Sequence, residues 1–525
     1  MASTTSSIRR RRSSALAPPS PTQRTHLAHK GRDHHHASQP KSRLEAILAA
    51  VFADPAHATH VASWSAAVLT VLGVAFFLRA AVARHGYSGR GMGPKYGDFE
   101  AQRHWLELTT HLPASQWYYY KLDHWGLDYP PLTAYVSWFF GVIAHVLDPT
   151  WVALDASWGI ETPAVVAFMR GTVYFSDLVI YVPACVVFVR HAIGRERSLH
   201  ELYALAVLLL FPGLVLVDHG HFQYNLIMLG LSMYAVVFMD SGHYVASAIA
   251  FSLALLFKQM ALYYALPVFV FLLSKCFSPG NGFRLFVKLG CAVLVTFALH
   301  AWPFRYDLPQ VLHRVFPVAR GLYEDKVANV WCAISPVIKL RMLFTQPQLV
   351  RISMITTLAA SAPSLGALFA TPTLHRLLLS MFAVSMSFFL FAFQVHEKSI
   401  LLPMTPALML MAYRPRGHAH WVAPMQALAT FSMWPLLSRD GLAVPYAVLT
   451  GGWWILTVPR SASGLRRWAM WAGLIVCLGL HAVEAMVPPP SRYPDAWVLA
   501  NQAVACGGFV VAWAWATWLA VRRSE

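Results

Sequence analysis

An all-α polytopic membrane protein is the fold class that the sequence predicts, from its composition and from a series of recurring apolar segments. Hydrophobic residues make up 57% of the 525 residues and charged residues only 12%, about half of the ~25% found in soluble domains. Helices of about 20 residues that cross a bilayer can bury so much apolar surface, which a soluble domain could not cover. The composition therefore excludes a soluble enzyme, a disordered protein and a fibrous repeat.

Fourteen apolar segments have the composition of membrane spans, although some are shorter than the roughly 20 residues that a perpendicular span needs. They are residues 60–84, 164–189, 199–217, 222–239, 243–257, 260–274, 285–302, 350–371, 375–393, 399–413, 421–437, 444–458, 468–487 and 496–521. Two further stretches, 131–147 and 327–343, could also be counted as spans from their composition alone. The positions of the basic residues decide against both.

The net charge of +17 is explained by orientation in a membrane, because cytosolic loops are rich in Lys and Arg. With fourteen spans and a cytosolic N-terminus, five basic loops fall on the cytosolic side: 190–197, 275–284, 414–416, 460–467 and 522–523. Counting 131–147 as a span would move Arg190 to the opposite side. We therefore expect both termini in the cytosol, 131–147 as a helix lying in the membrane interface, and no nucleic-acid partner.

This topology divides the chain into a tail and one membrane domain. Residues 1–58 are predicted to be a disordered, basic cytosolic tail, 59–521 the polytopic membrane domain, and 522–525 a cytosolic C-terminus. Four polar loops then share the side opposite to the cytosol, two of them large: 85–163, Asp218–Asn225, 303–349 and Gln394–Ser399. Their convergence on one side is what an active site at a membrane surface requires.

The first large loop contains two candidate carboxylates. Asp98, Gln102 and Trp105 are spaced as one face of a helix. A carboxylate at a helix start also gains from capping and from the helix dipole, so capping is the alternative role of Asp98. Asp128 precedes Tyr129 and two prolines, which place it in an extended turn before a new element; stabilising that turn is its alternative role.

The second polar loop holds Asp218, His219, Gly220 and His221. In an extended loop the two histidines, two residues apart, would point the same way. Metal binding with a carboxylate partner is one interpretation, and a polar hydrogen-bonding cluster near a bound sugar is the one we favour.

Charged residues next to apolar runs need a partner or a task, because a charge near hydrocarbon costs a few kcal/mol. His396, Glu397 and Lys398 follow an aromatic run directly, and a mutual pair of Glu397 with Lys398 is the alternative to a functional role. A phosphate at the membrane boundary would need cationic donors. The candidates are Arg305, Arg320, Lys326, His396 and Lys398, with Lys258 nearby.

Five motifs together resemble a known family of membrane glucosyltransferases. In chain order they are GDFEAQRHW, GLDYPPLTAY, DHGHFQYN, ARGLYEDKVANVWC and FQVHEKSILLP, within about residues 85–415. In their order and spacing they resemble the endoplasmic-reticulum, dolichyl-phosphate-glucose-dependent glucosyltransferases of lipid-linked oligosaccharide assembly. Gly126 points to the α-1,3-glucosyltransferases that add the first glucose to a nine-mannose acceptor, rather than to the sister enzymes that add the second.

The resemblance implies a GT-C fold and an inverting, single-displacement transfer. It also implies a protein of the endoplasmic-reticulum membrane, with the lipid bilayer as partner and the active site on the luminal side. The donor would be dolichyl phosphate glucose and the acceptor a terminal mannose 3-hydroxyl of a dolichyl-diphosphate oligosaccharide. No metal or cofactor is implied. Asp98 matches the general base of the family. The residues that would orient the acceptor are Asp128, Glu100, His219, His221 and Gln223, and those that would bind the donor phosphate are His396, Lys398 and Arg320.

Two other classes of protein remain as alternatives. A multispanning transporter explains the composition and the intramembrane charges equally well, but it predicts an internal repeat that the sequence does not show by inspection. A non-catalytic lipid-binding scaffold would have no need for a carboxylate such as Asp98.

Overall fold

The computed structural model describes residues 42–52, 61–94, 96–194, 198–277, 280–316, 326–459 and 464–522. These ranges are helical and contain no strand, which confirms the predicted all-α class. The α-helices are α1 (Arg43–Phe52), α2 (Val61–Ala83), α3 (Asp98–His111), α4 (Pro131–Leu147), α5 (Pro163–Ser176), α6 (Val182–Ile193), α7 (Leu199–Leu209), α8 (Pro212–Leu214), α9 (Asn225–Asp240), α10 (Tyr244–Phe257), α11 (Ala265–Cys276), α12 (Gly282–Ala301), α13 (Leu308–Val315), α14 (Val330–Ile334), α15 (Leu340–Leu343), α16 (Gln346–Ala370), α17 (Leu374–Phe391), α18 (Leu401–Tyr413), α19 (Pro415–Ser432), α20 (Trp434–Arg439), α21 (Ala443–Thr457), α22 (Gly464–Met486) and α23 (Ala496–Val521).

Shorter segments of tighter or wider helix connect several of these elements. Asp177–Tyr181 and Val215–Phe222 are π-helical and extend α5 and α8 without a break. The 3₁₀ segments are Ala114–Gln116, Pro149–Val152, Gln259–Tyr264, Trp302–Phe304 and Glu397–Ile400. Insertions of π-helix occur often at functional sites.

Nine helices of the described ranges are long and apolar enough to cross a membrane. They are Trp64–Ala83, Pro163–Ile193, Leu199–Phe222, Gln259–Cys276, Gly282–Phe304, Gln346–Ala370, Leu374–Phe391, Arg466–Met486 and Ala496–Val521. The other five apolar segments of the sequence fall on α9, α10, α18, α19 and α21, which are shorter or less apolar. Every predicted segment is therefore helical, and the total of fourteen crossings stays a prediction.

Burial differs sharply between the centre and the edge of the bundle. The span of α17 is 78% buried, whereas the spans of α12 and α22 are 11% and 0% buried. Large apolar side chains are exposed on the outer helices; Phe283, for example, is 81% exposed. A soluble protein rarely leaves such wide apolar faces uncovered. The wide exposed apolar faces and the many apolar helices are those of a membrane protein.

Part of the predicted disordered tail is ordered, so that prediction is wrong for residues 43–52. There α1 begins with a capping box, in which Ser42 Oγ accepts from the Glu45 amide at 3.1 Å and Glu45 accepts from the Ser42 amide. Leu44 and Leu48 lie four residues apart on one buried face that packs against α7. The spacing from Ser42 to Glu45 was a readable helix-start signal. The remainder of 1–58 lies outside the described residues.

The first large polar loop is built on two packed helices, α3 and α4. The helix α3 begins at Asp98 and α4 begins at Pro131, where a proline at the first position is well tolerated. Gly141 allows the two helices to pack closely, because an added Cβ would lie 2.2 Å from Thr110 Oγ1. The stretch 131–147 is thus a helix as predicted; its location in the membrane interface stays a prediction.

Candidate active site

Asp98 is the centre of a cluster of polar side chains from three separate segments of the chain. Its Oδ2 lies 3.0 Å from Nε2 of His221 and also accepts hydrogen bonds from the Gln223 amide and the Lys398 ammonium group. The sequence predicted these three loops on one side of the membrane, and the structure brings their side chains into direct contact. Lys398 thus pairs with Asp98, in place of the pair with Glu397 that we considered as an alternative.

The orientation of Asp98 leaves its carboxylate available for chemistry. Gly97, and not Asp98, occupies the N-cap position of α3, so Asp98 does not cap the helix through its side chain. The Asp98 side chain is 23% exposed, while His221 behind it is only 2% exposed. One side of the carboxylate is therefore held by the protein and the other is open.

Electrostatics keep the Asp98 carboxylate ionised. Burial by itself raises the pKa of this group, but Lys398 and His221 oppose burial and hold the pKa of Asp98 well below its usual value. A carboxylate next to two cationic partners favours its charged form. Asp98 is consequently ready to accept a proton at neutral pH.

Asp440 is a part of this cluster that we did not predict from the sequence. Its Oδ2 lies 2.5 Å from Nδ1 of His221, so that the imidazole lies between two carboxylates. Asp440 is the single acidic residue between two apolar segments, and the fourteen-span topology places its loop on the same side as Asp98. That combination was the available signal.

Residues Gly86–Ser88, just after α2, tie the parts of the cluster together. The Ser88 amide donates to the His221 carbonyl at 3.0 Å, and Ser88 Oγ accepts from the Asp98 amide at 3.1 Å. Gly86 packs directly on the Asp440 backbone, where an added Cβ would lie 2.0 Å from the carbonyl oxygen. This segment fixes the distances between Asp98, His221 and Asp440.

A second row of buried polar groups supports Gln223. Lys258 Nζ donates to Gln223 Oε1 at 3.1 Å and to Asn225 Oδ1 at 2.7 Å. Asn225 in turn donates to Asp218 at 2.7 Å. Because its carbonyl oxygen is occupied by Lys258, Gln223 turns its amide hydrogens towards Asp98. Lys258 was considered only as a cation near the donor phosphate; the structure makes it a support of the Asp98 cluster.

The two histidines of the second polar loop do not point the same way, so our expectation of an extended loop is wrong. Val215–Phe222 is helical, and residues two apart on a helix face nearly opposite directions. His219 Nε2 lies 3.0 Å from Asp177, which also pairs with Arg79 at 2.5 Å. His219 is therefore separated from the Asp98 cluster, whereas His221 is part of it.

Glu100, predicted to orient the acceptor, is instead part of a buried ion-pair network in α3. Its two oxygens accept from Arg103 at 2.6 and 2.8 Å, and His124 Nε2 lies 3.4 Å away. Arg103 also pairs with Glu107 at 2.7 Å. Burial raises the pKa of Glu107, but His104 and Arg103 together lower it to about 2. This network braces the first polar loop.

The other predicted residues are at the edge of the site or outside the described residues. The Asp128 side chain is half-buried, and its carbonyl accepts from Gln259 Nε2 at 3.4 Å. His396 is exposed at the start of the 3₁₀ segment that carries Lys398. Arg320 lies outside the described residues. Within the part of the chain that is described, no group of three His, Cys, Asp or Glu side chains is arranged to hold a metal ion.

The chemistry that this arrangement supports is proton abstraction by Asp98 from a polar ligand at its open side. Lys398, whose side chain is 20% exposed, lies beside the carboxylate, where it can attract an anionic group. A carboxylate base next to a cation-lined site fits a group transfer from a phosphate leaving group.

Comparisons with a family model and with individual known proteins point to the same family. A model described as the ALG6, ALG8 glycosyltransferase family matches residues 75–515. A Schizosaccharomyces pombe protein named "Probable dolichyl pyrophosphate Man9GlcNAc2 alpha-1,3-glucosyltransferase" is 47% identical over 441 residues, which are 82% of this chain and 87% of that protein. The Saccharomyces cerevisiae protein named "Dolichyl pyrophosphate Man9GlcNAc2 alpha-1,3-glucosyltransferase" is 41% identical over 485 residues, 84% of this chain and 89% of that protein.

Among solved structures, ArnT from Cupriavidus metallidurans bound to undecaprenyl phosphate matches 87% of this chain and 78% of its own. The TM-score is 0.40 and the sequence identity 15%. A likeness of this size carries no argument about fold or ligand, and the GT-C arrangement of the helices stays a prediction.

Proposed function

The chain belongs to the ALG6, ALG8 glycosyltransferase family, and from this premise we propose that it transfers glucose from dolichyl phosphate glucose to dolichyl-diphosphate Man9GlcNAc2. The glucose is joined in α-1,3 linkage to the 3-hydroxyl of a terminal mannose. The reaction takes place on the luminal side of the endoplasmic-reticulum membrane. The names of the relatives support the acceptor and the linkage, and the sequence motifs support the donor.

The position of Asp98 is the observation that carries the mechanism. Glucose that leaves a β-linked phosphate and arrives in α linkage is inverted once, so one displacement with one general base is sufficient. Asp98 is ionised, partly exposed and fixed by His221, Gln223 and Lys398. It accepts the proton of the mannose hydroxyl as that oxygen attacks the anomeric carbon.

Lys398 links the base to the leaving group. Its side chain is 20% exposed, and its ammonium group pairs with the same carboxylate. In the proposed complex it faces the donor phosphate, where His396 and Arg320 add further positive charge. Because phosphate leaves as a stable anion, electrostatic stabilisation replaces a general acid. Asp128 and Gln223 lie on the acceptor side in this arrangement.

Transfer by the purified protein tests the proposal directly. With dolichyl phosphate glucose and dolichyl-diphosphate Man9GlcNAc2, the wild-type protein should form a single α-1,3-glucosylated product. Asp98→Asn should reduce the turnover rate by about 10²–10⁴-fold, the usual contribution of a general base. Asp123→Asn is the matched control, because Asp123 is an exposed carboxylate of the same loop.

Three outcomes would contradict the proposal in different ways. An active Asp98→Asn variant would reject Asp98 as the base. Transfer only to an acceptor that already carries one glucose would identify the second-glucose reaction, the alternative that the sequence motifs left open. A wild-type protein that transfers nothing to either acceptor would reject the enzymatic function.

A further inference from the structure

An open cavity of about 470 Å³ lies between the segment after α2 and the segment after α20. It is lined by Arg84, His85 and Arg90 from the first segment and by Arg439 and Asp440 from the second. Pockets for small ligands have volumes of about 300–1,000 Å³, so the cavity is large enough to bind a small polar group. The three arginines have no role in the mechanism derived above.

The charge of the cavity is positive. All three arginines are exposed, and they form no ion pair with any residue that the structure describes; Arg90 lies over the Tyr87 ring at 5.8 Å. Among the described lining residues, Asp440 is the only carboxylate, and its Oδ2 lies 2.5 Å from Nδ1 of His221. A further carboxylate, Glu161, accepts from the Tyr87 hydroxyl at 3.1 Å. The guanidinium groups therefore remain free to bind an anion.

The cavity lies at the end of a candidate span. The span Trp64–Ala83 ends one residue before Arg84, and Arg439 lies between the predicted spans 421–437 and 444–458. In the fourteen-span topology both arginines are on the side opposite to the cytosol, so the preference of Lys and Arg for cytosolic loops does not explain them. Basic pockets between helices at the membrane surface are typical sites for anionic lipid headgroups.

The helices on either side of the cavity in the sequence have exposed apolar side chains. They include Leu69 and Phe77 on α2, and Val444 and Val448 on α21. Hydrocarbon chains can lie against such side chains while a headgroup occupies the cavity. These features favour a phosphate that is carried by a lipid over a free phosphate ion.

We propose that the cavity binds the phosphate group of an anionic membrane lipid. Arg84 and Arg90 bind the phosphate from one segment and Arg439 from the other, because a guanidinium group can donate two parallel hydrogen bonds to phosphate oxygens. The phosphate thus joins the two segments that contact Asp98 and His221. Phospholipids and polyprenyl phosphates share this chemistry, and the experiment separates them.

Lipid binding to the purified full-length protein in detergent, after removal of bound lipid, tests the proposal without donor or acceptor. The probes are dioleoyl phosphatidic acid, undecaprenyl phosphate and inorganic phosphate, with dioleoylglycerol as the lipid that lacks a phosphate. Phosphatidic acid should bind and raise the thermal midpoint, because a ligand of the folded state stabilises that state. Dioleoylglycerol should leave the midpoint unchanged.

Arginine variants locate the bound phosphate. Arg439→Gln and Arg84→Gln should each weaken the binding of phosphatidic acid at least about tenfold, since each removes a charge-assisted hydrogen bond. Both side chains are exposed, so the midpoint without lipid should equal that of the wild type. Arg492→Gln is the matched control: Arg492 is exposed on the same predicted side, over the Tyr493 ring, and does not line the cavity. Its lipid binding should equal that of the wild type.

The remaining outcomes are equally decisive. Equal binding of phosphatidic acid and undecaprenyl phosphate by the wild type and all three variants would overturn the proposal. Inorganic phosphate that binds as tightly as either lipid would overturn the lipid as the ligand. A loss confined to undecaprenyl phosphate in Arg439→Gln and Arg84→Gln would support the site and identify a polyprenyl phosphate as its lipid. No measurement here involves glucose transfer, so failure of this proposal and failure of the proposed function are distinguishable.

Discussion

The π-helical segment Val215–Phe222 supplies one histidine to each of two aspartates, and the two clusters that result are very different. His219 contacts Asp177, which also pairs with Arg79, and the side chains of Asp177 and Arg79 are 1% and 2% exposed. His221 meets Asp98, which is 23% exposed. The first cluster is closed on all sides, and the second is open on one side.

The comparison shows which feature separates a structural ion pair from a reactive one. Both aspartates contact a histidine and a cation, so the types of partner do not distinguish them. Asp177 lies within a candidate span, where its charge serves to hold α2 against α5 through Arg79. Asp98 lies at the start of α3, outside the candidate spans, where a ligand can reach it.

The largest effect is expected from breaking the closed cluster. Asp177→Ala leaves Arg79 charged and buried without its carboxylate, which typically costs about 3–5 kcal/mol. We expect a strongly lowered thermal midpoint in detergent, while the molecules that remain folded transfer glucose at nearly the wild-type rate. Comparison with Asp123→Asn gives the baseline. A stable but inactive Asp177→Ala variant would contradict the division between the two clusters.

A pair of histidine variants tests the same division with matched chemistry. His221→Gln removes one charge-assisted hydrogen bond to the base, worth about 1.5–3 kcal/mol, so turnover should fall by about tenfold to a hundredfold. His219→Gln should lower the thermal midpoint and change turnover by less than about threefold. The turnover rates and melting curves of the two variants check this. Equal losses of activity would show that both histidines act on the reaction.

The two histidines also show how much of the site could be predicted from the sequence. The polar loop was identified because a dense group of charged and polar residues lies between two apolar segments. The opposite directions of the two histidines could not be predicted from the sequence. An extended loop would place residues two apart on the same side, whereas a π-helix places them on opposite sides. The local conformation is set by tertiary contacts, among them the bonds from Arg170 to the carbonyls of His219 and Gly220.

Contacts between distant parts of the chain were the hardest to predict. Hydropathy located the helices, and the helix face of Asp98 followed from its spacing in the sequence. Asp440 is 219 residues from His221, and no local pattern connects them. Glu100 was misplaced because its partner Arg103 lies three residues further along the same helix, where a salt bridge within α3 satisfies it.

The smallest effect is expected for the pH dependence of the open cluster. Burial raises the pKa of Asp98, and Lys398 and His221 together bring it well below its usual value. Lys398→Gln removes one of these cations, so the pKa of Asp98 should rise towards its usual value. Since the base must be ionised, the acidic limb of kcat/KM should move to higher pH by the same amount.

Profiles measured with Lys398→Gln and with Lys121→Gln check this shift. Lys121 is an exposed lysine of the first polar loop, whose Nζ lies 3.9 Å from Asp155, and its replacement should leave the limb in place. A limb that moves to lower pH in Lys398→Gln would show that the titrating group is not Asp98.

The π-helical geometry of Val215–Phe222 also limits how this stretch can vary in length. Deleting one residue ahead of His219 would turn both histidines by one residue step around the helix axis. His219 and His221 would leave their aspartates together, so the bundle would loosen and the base would lose its support in a single step. Substitutions here can affect one cluster at a time, whereas insertions and deletions cannot. The segment can therefore change its residues far more easily than its length.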